Sequence, residues 1–166
     1  MVLSVQRTAA EAKSRLVHLS LLCLNLRLME NWRYVQFEAS GGVLDYDSIM
    51  ILMAIIVIGA EKLLRTELDP ELQTLAERLP QGHLSKVNFS SIAAATAINR
   101  ETVRRKVNEL QEVGMVLRDR EGIRIVQGVV HLESLRDIID AQLDAVTRVV
   151  NQLSRFGVLL PAACAP

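Results

Sequence analysis

The sequence predicts a mostly α fold in which a compact two-helix and β-hairpin unit lies between long helices. Three observations carry this expectation. The stretch from Leu16 to about Phe37 runs without Gly or Pro and is rich in Leu. A second long apolar periodicity begins near Leu132, and between the two Met115–Val126 holds two short alternating stretches around Asp119-Arg120-Glu121-Gly122. Helix-period apolar runs on both sides of one hairpin signal indicate an α-rich chain with a small β element.

Composition bounds the rest. The chain has 166 residues, half of them hydrophobic and 23% charged, enough to bury a sizeable core. Aromatics make up only 4%, so that core is aliphatic. Lys+Arg and Asp+Glu both total 19, which excludes a globally basic coat for nucleic acid; any DNA contact must come from a local patch. Two cysteines, Cys23 and Cys164, supply neither a disulfide framework nor a zinc set, and a reducing compartment fits. The polar start MVLSVQRTAAEAKSR lacks the features of a secretory signal. The longest apolar run, Ile49–Ala60, has twelve residues and spans about 18 Å as a helix, short of a ~30 Å hydrocarbon core. It reads as a buried core helix, and the protein as soluble and cytoplasmic.

In chain order, the first helix covers Leu16 to about Phe37, before the break at Ser40-Gly41-Gly42. A second runs from Asp47, its expected N-cap, to Thr66, with Lys62 and Arg65 suited to its C-terminal end. Asp69-Pro70-Glu71 restarts a short helix that stops before Pro80-Gln81-Gly82. From Leu132 a long helix resumes, with Leu135, Ile139, Gln142, Val146, Val149, Leu153 and Phe156 at alternating spacings of four and three. That seam covers about 33 Å. The tail VLLPAACAP is expected to fray. These elements divide the chain into an N-terminal helical dimerisation region (1–66), a central unit (67–128) and a C-terminal dimerisation helix with its tail (129–166); the sequence leaves open whether the helix Asp47–Thr66 belongs to the central unit or to the dimer layer.

The segment Ser90–Gly128 is the most informative. Ser90 or Ser91 is expected to cap a first helix whose inner face is Ile92, Ala93 and Ala95 or Thr96. Ile98 fills the angle between helices, and Asn99 can cap a second helix carrying Glu101 in its first turn. Val103, Val107 and Leu110 then face inward, and Gly114 is the expected left-handed residue after the helix end. The opposite face presents Arg100, Glu101, Arg104, Arg105 and Asn108. Arg100–Lys106 holds four basic residues and one acid, a net of +3 in a chain whose total is zero. A short basic helix of this kind suits the DNA major groove, where arginines bond phosphates or bind guanine bidentately.

The run Asn99-Arg100-Glu101-Thr102-Val103-Arg104-Arg105 resembles the opening of the recognition helix in winged helix-turn-helix bacterial transcription regulators, most closely the Crp-like and GntR-like families. The resemblance covers roughly 40 residues. It implies that Arg100, Glu101 and Arg105 point toward base edges, that Asn99 and Thr102 point toward phosphates, and that Val103 is core. It makes the hairpin with Arg118, Arg120 and Arg124 the wing, paired with a short strand at Ser85-Lys86-Val87. Ala97 stands where such motifs usually carry Gly, at a left-handed position that costs about 1–2 kcal/mol without it. The N-terminal half lacks the Gly-punctuated strands of the Crp-like cyclic-nucleotide barrel, so the effector logic of that family does not carry over.

The expected function is therefore sequence-specific binding of double-stranded DNA by a homodimer that regulates transcription, its recognition helix spanning Arg100–Val113. A two-fold dimer would hold two such helices about 34 Å apart, on successive major grooves. The candidate DNA-binding residues are Asn99, Arg100, Glu101, Thr102, Arg104, Arg105, Asn108, Arg118 and Arg120. Glu101, Glu109 and Glu112 keep open a winged-helix module that binds proteins rather than DNA, and Ile49–Ala60 a membrane-attached regulator. The cluster Trp32, Tyr34 and Phe37 either lines a small-molecule effector pocket or packs as core or interface. His18, His83 and His131 lack partners at metal-ligand spacing, and Cys23 reads as inert core. No catalytic motif is present, which argues against an enzyme, and no cofactor is expected.

Overall fold

The computed structural model describes residues 3–33, 36–37, 42–61, 84–126 and 133–161. Within them the chain is mostly helical with three two-stranded antiparallel sheets, and it divides into two compact units. The expected helix after Asp69, the bend at Pro80-Gln81-Gly82, His83, His131, Cys164 and the side chains of Tyr34 and Phe37 lie outside the described residues.

The first unit joins Met1–Trp32 to Asp137–Pro166. It contains strand β1 (Leu3–Val5), helix α1 (Arg7–Ala12), all but the last residue of α2 (Ser14–Arg33), the long helix α6 (Glu133–Arg155) from Asp137 onward, and strand β6 (Leu159–Pro161). Val149, Leu153 and Val158 form its buried centre, with Ala9, Ala10, Val17 and Leu24 packed against them. α6 ends as Val158 N–H reaches Leu153 O and Gly157 N–H reaches Ser154 O, both at 2.9 Å. Those two bonds satisfy carbonyls that the helix end would otherwise leave open. Val158–Pro161 then do not fray as expected: β6 pairs with β1, Leu3 opposite Pro161 and Val5 opposite Leu159, while the last five residues of the tail, 162–166, lie outside the described residues. The expectation failed because β1 and α1, in a stretch too mixed to show periodicity, supply the partners.

The second unit, Arg33–Arg136, holds β2 (Gln36–Phe37), β3 (Gly42–Val43), α3 (Tyr46–Ala60), α4 (Phe89–Thr96), α5 (Arg100–Glu112), β4 (Val116–Arg118) and β5 (Ile123–Ile125). α3 packs on α4, α5 and β5, so it belongs with these elements rather than with an N-terminal region ending at residue 66. The apolar run fills the core as expected: Ile49, Ile51, Leu52 and Ile55 are buried, although Val57 is exposed. No helix among the described residues is long and apolar enough to cross a membrane. The cap of α3 is Asp45, not Asp47. Its carboxylate accepts the Ser48 N–H at 2.9 Å, and Asp47 lies in the first turn. Both acids favour a helix start; only Asp45 has the extended backbone that aims a side chain at the free N–H groups.

Candidate nucleic-acid interface

The candidate residues lie on α5 and the β4–β5 hairpin and in the turn between α4 and α5. α4 begins two or three residues earlier than Ser90 or Ser91 as cap would give. Asn88 is the cap, accepting the Ser91 N–H at 2.9 Å and the Ser91 hydroxyl at 3.2 Å. This makes Phe89 the first helical residue. Thr96 bonds its hydroxyl back to Ile92 O at 2.8 Å, and Ala97 then turns the chain at φ 57°, the left-handed conformation expected there. Asn99 caps α5 by accepting the Glu101 N–H at 2.8 Å.

α5 is anchored through Val103, Val107 and Leu110, each no more than 1% exposed, among Ile92, Met115, Val116 and Ile123 in the same core. Its end is fixed twice. Met115 N–H bonds Leu110 O at 2.9 Å and Gly114 N–H bonds Gln111 O at 3.0 Å. Gly114 supplies the φ of 74° this geometry needs, as the sequence predicts. With the inner face locked, the outer face is determined by the 3.6-residue period. Arg100, Glu101, Arg104, Arg105 and Asn108 are all exposed, while Thr102 is half-buried.

Lys106 departs from the expected basic face. Its side chain is only 10% exposed and donates to Asp45 at 2.6 Å and to Glu109 at 2.8 Å. Hydrogen bonds donated to these two carboxylates raise the Lys106 pKa. Partial burial works to raise the Asp45 carboxyl, but the Lys106 ammonium and the Ser48 N–H outweigh it and bring the group down to about 2. Lys106 thus ties α5 to the start of α3 and adds no charge to the outer face. Among residues 100–106 that face carries three arginines and one acid, a net of +2. The signal was in the spacing: Lys106 lies three residues after Val103 and four before Leu110, on the edge of the apolar stripe.

Local pairing on α5 is loose for Arg104, whose Nε lies 3.8 Å from Glu101, and closer for Arg105, 3.0 Å from Glu109. These exposed pairs are worth little in water. Arg100 has no ion pair among the described residues.

The hairpin forms where the alternation placed it, with Val116 opposite Ile125 and Arg118 opposite Ile123. Val87 adds a single antiparallel bridge to Ile123, the short pairing expected at Ser85–Val87. Asp119 shapes the bend by accepting the N–H groups of Glu121 and Gly122 at 2.8 and 3.1 Å. Lys86 takes both hairpin acids, Asp119 at 2.8 Å and Glu121 at 2.5 Å. The alternation of arginines with acids therefore does not neutralise the arginines. Arg120 is exposed at the bend and Arg118 is exposed on β4. Arg124 differs, being half-buried with its Nε enclosed and without a hydrogen-bond partner.

Three candidates from two elements, Arg104 and Asn108 of α5 and Arg118 of β4, meet on this surface. Arg118 Nη1 donates to Asn108 Oδ1 at 3.2 Å, joining hairpin to α5. Phe89, which no sequence argument singled out, lies under both Arg118 and Arg104, with guanidinium carbons 5.0 and 5.9 Å from its ring centroid. Its signal was positional only: an aromatic directly after a capping Asn. Cys23 in the first unit is exposed rather than core, and Trp32 is half-buried at the end of α2. No family model, curated protein or solved structure matches this chain.

Proposed function

We propose that this protein binds double-stranded DNA in a sequence-specific manner and regulates transcription as a homodimer, through a winged helix-turn-helix in the second unit. In this reading α4 and α5 are the two helices of the motif, α5 enters the major groove, and the β4–β5 hairpin is the wing. One observation carries it. The exposed face of α5 presents Arg100, Arg104, Arg105 and Asn108 in a row continuous with Arg118, while the opposite face is locked into the core. A rigid helix with forked guanidinium groups on its outer side, Arg104 and Arg105 held only by exposed pairs on α5 itself, meets what phosphate and guanine recognition requires. Lys106 is excluded from the contact set, and Asn99 serves first as a helix cap.

Fluorescence anisotropy of labelled duplex against the full chain over a salt series tests the reading. Wild type is expected to bind with log K falling steeply against log[salt]; Arg104→Ala/Arg105→Ala should bind more weakly, with a slope shallower by roughly 2. Absence of binding at low salt would instead favour the protein-binding module. Selection from random duplexes then identifies the operator.

A further inference from the structure

Phe89 stands at the meeting point of three elements: it opens α4, Arg104 comes from α5 and Arg118 from β4. Its backbone is held by the Asn88 cap, so the half-buried ring has a fixed origin. The Arg104 and Arg118 guanidinium carbons lie 5.9 and 5.0 Å from its centroid, within the range of cation–π attraction. Neither arginine is held tightly by a carboxylate. Arg104 is 3.8 Å from Glu101, and the hydrogen-bond partner of Arg118 is the neutral Asn108. Among the described residues, the ring is thus the group that both cations share.

A free arginine side chain samples many rotamers, and ordering it on binding a polyanion costs conformational entropy. A guanidinium stacks on an aromatic face without giving up its in-plane donors, because it is planar and weakly hydrated. Each such contact at an exposed site is worth about two- to five-fold in an equilibrium constant. We infer that Phe89 is a positioning residue of the DNA-facing surface. It pre-orders Arg104 of the recognition helix and Arg118 of the wing at a fixed separation, so that both engage the phosphate backbone as one unit. The inference rests on the DNA-binding reading above.

The test uses the full chain as wild type, Phe89→Tyr, Phe89→Leu, Arg104→Ala/Arg118→Ala, and Phe89→Leu combined with that pair. In the free protein, the Nε–Hε resonances of Arg104 and Arg118 should be ring-current shifted in wild type and Phe89→Tyr and unshifted in Phe89→Leu. Against a duplex that wild type binds, Phe89→Leu should weaken affinity about five-fold or more, and Phe89→Tyr should restore it. Phe89→Leu should have no further effect once both arginines are absent. Wild-type affinity in Phe89→Leu, or an equal loss with and without the arginines, overturns the proposal. So do unshifted arginine resonances in folded wild type, a result that needs no variant to fold. If wild type binds no duplex, the DNA reading falls and takes the recognition role with it. The spectra still report separately whether the ring orders the arginines.

Discussion

Ala97 accepts φ 57° in the turn between α4 and α5, although a left-handed Ala costs about 1–2 kcal/mol. The turn persists because both of its sides are pinned, Ile92 inside the core on one and the Asn99 cap on the other. Lys106 is the second residue whose role is set by its surroundings. Replacing it with Met keeps the buried stem but removes the ammonium that holds Asp45. Because the Asp45 side chain is 56% exposed, the loss is expected to be only about 1 kcal/mol, read from the urea midpoint. The pH dependence is more diagnostic. The Asp45 carboxyl lies at about 2 in the folded chain against an ordinary 3.8, so its pairing stabilises the fold above about pH 4 and is lost as pH falls toward 2. Wild type should lose stability across that window, and Lys106→Met should lose less. Equal slopes would show that Lys106 does not hold Asp45.

At the scale of elements, apolar period and cap residues explain most of α5, and two glycines explain how the hairpin follows it. Gly114 has φ 74° with open space where a Cβ would stand, so Gly114→Ala carries backbone strain alone, about 1–2 kcal/mol. Gly122 has φ 150°, and a Cβ there would meet Val87 O at 3.0 Å and Lys86 Cβ at 3.1 Å. Gly122→Ala therefore adds a steric clash with the bridging segment to the strain and should destabilise by more than Gly114→Ala. Chemical denaturation of the two variants side by side checks the order. In α6 the expected single seam is split. Val149 and Leu153 are buried within the first unit together with Ile138 and Ala145, while Ile139, Leu143 and Val146 form a separate exposed strip. Leu135, the first seam position, lies outside the residues whose side chains are described. A heptad spacing identifies one apolar stripe; a wider stripe of this kind has room to pack on its own chain and still leave a face open.

For the molecule as a whole, α2 repeats the pattern of α6. Leu16, Leu19, Leu22 and Leu26 are between 46% and 69% exposed, a row of large apolar side chains on one helix. Water-exposed leucine rows of this extent favour association, and they support the homodimer in the proposed function. Static light scattering at micromolar concentration should give twice the 18.5 kDa chain mass. Ile139→Lys/Leu143→Lys should return it to the single-chain value with helical content unchanged; a single-chain mass for wild type would remove the dimer from the reading.

Local sequence determined the elements that obey short-range rules: the long helices, the α4–α5 turn with its left-handed Ala97, the Asn99 cap, the Gly114 helix end and the hairpin about Asp119–Gly122. Each rests on backbone sterics or on hydrogen bonds between near neighbours, which residue types and spacings already encode. It also placed Arg100, Arg104, Arg105 and Asn108 on one face, because the apolar stripe of α5 leaves no other. Spacing set Lys106 at the edge of the apolar stripe, and tertiary structure decided which distant partners the charges of α5 and the hairpin take. Lys106 is taken by Asp45, 61 positions away, and Asp119 and Glu121 are taken by Lys86, 33 and 35 positions away. The same holds for the pairing of β1 with β6 across 156 positions and for the gathering of Arg104 and Arg118 on Phe89. Partners so distant are chosen by how the elements pack, and no period or cap rule along the chain records that choice.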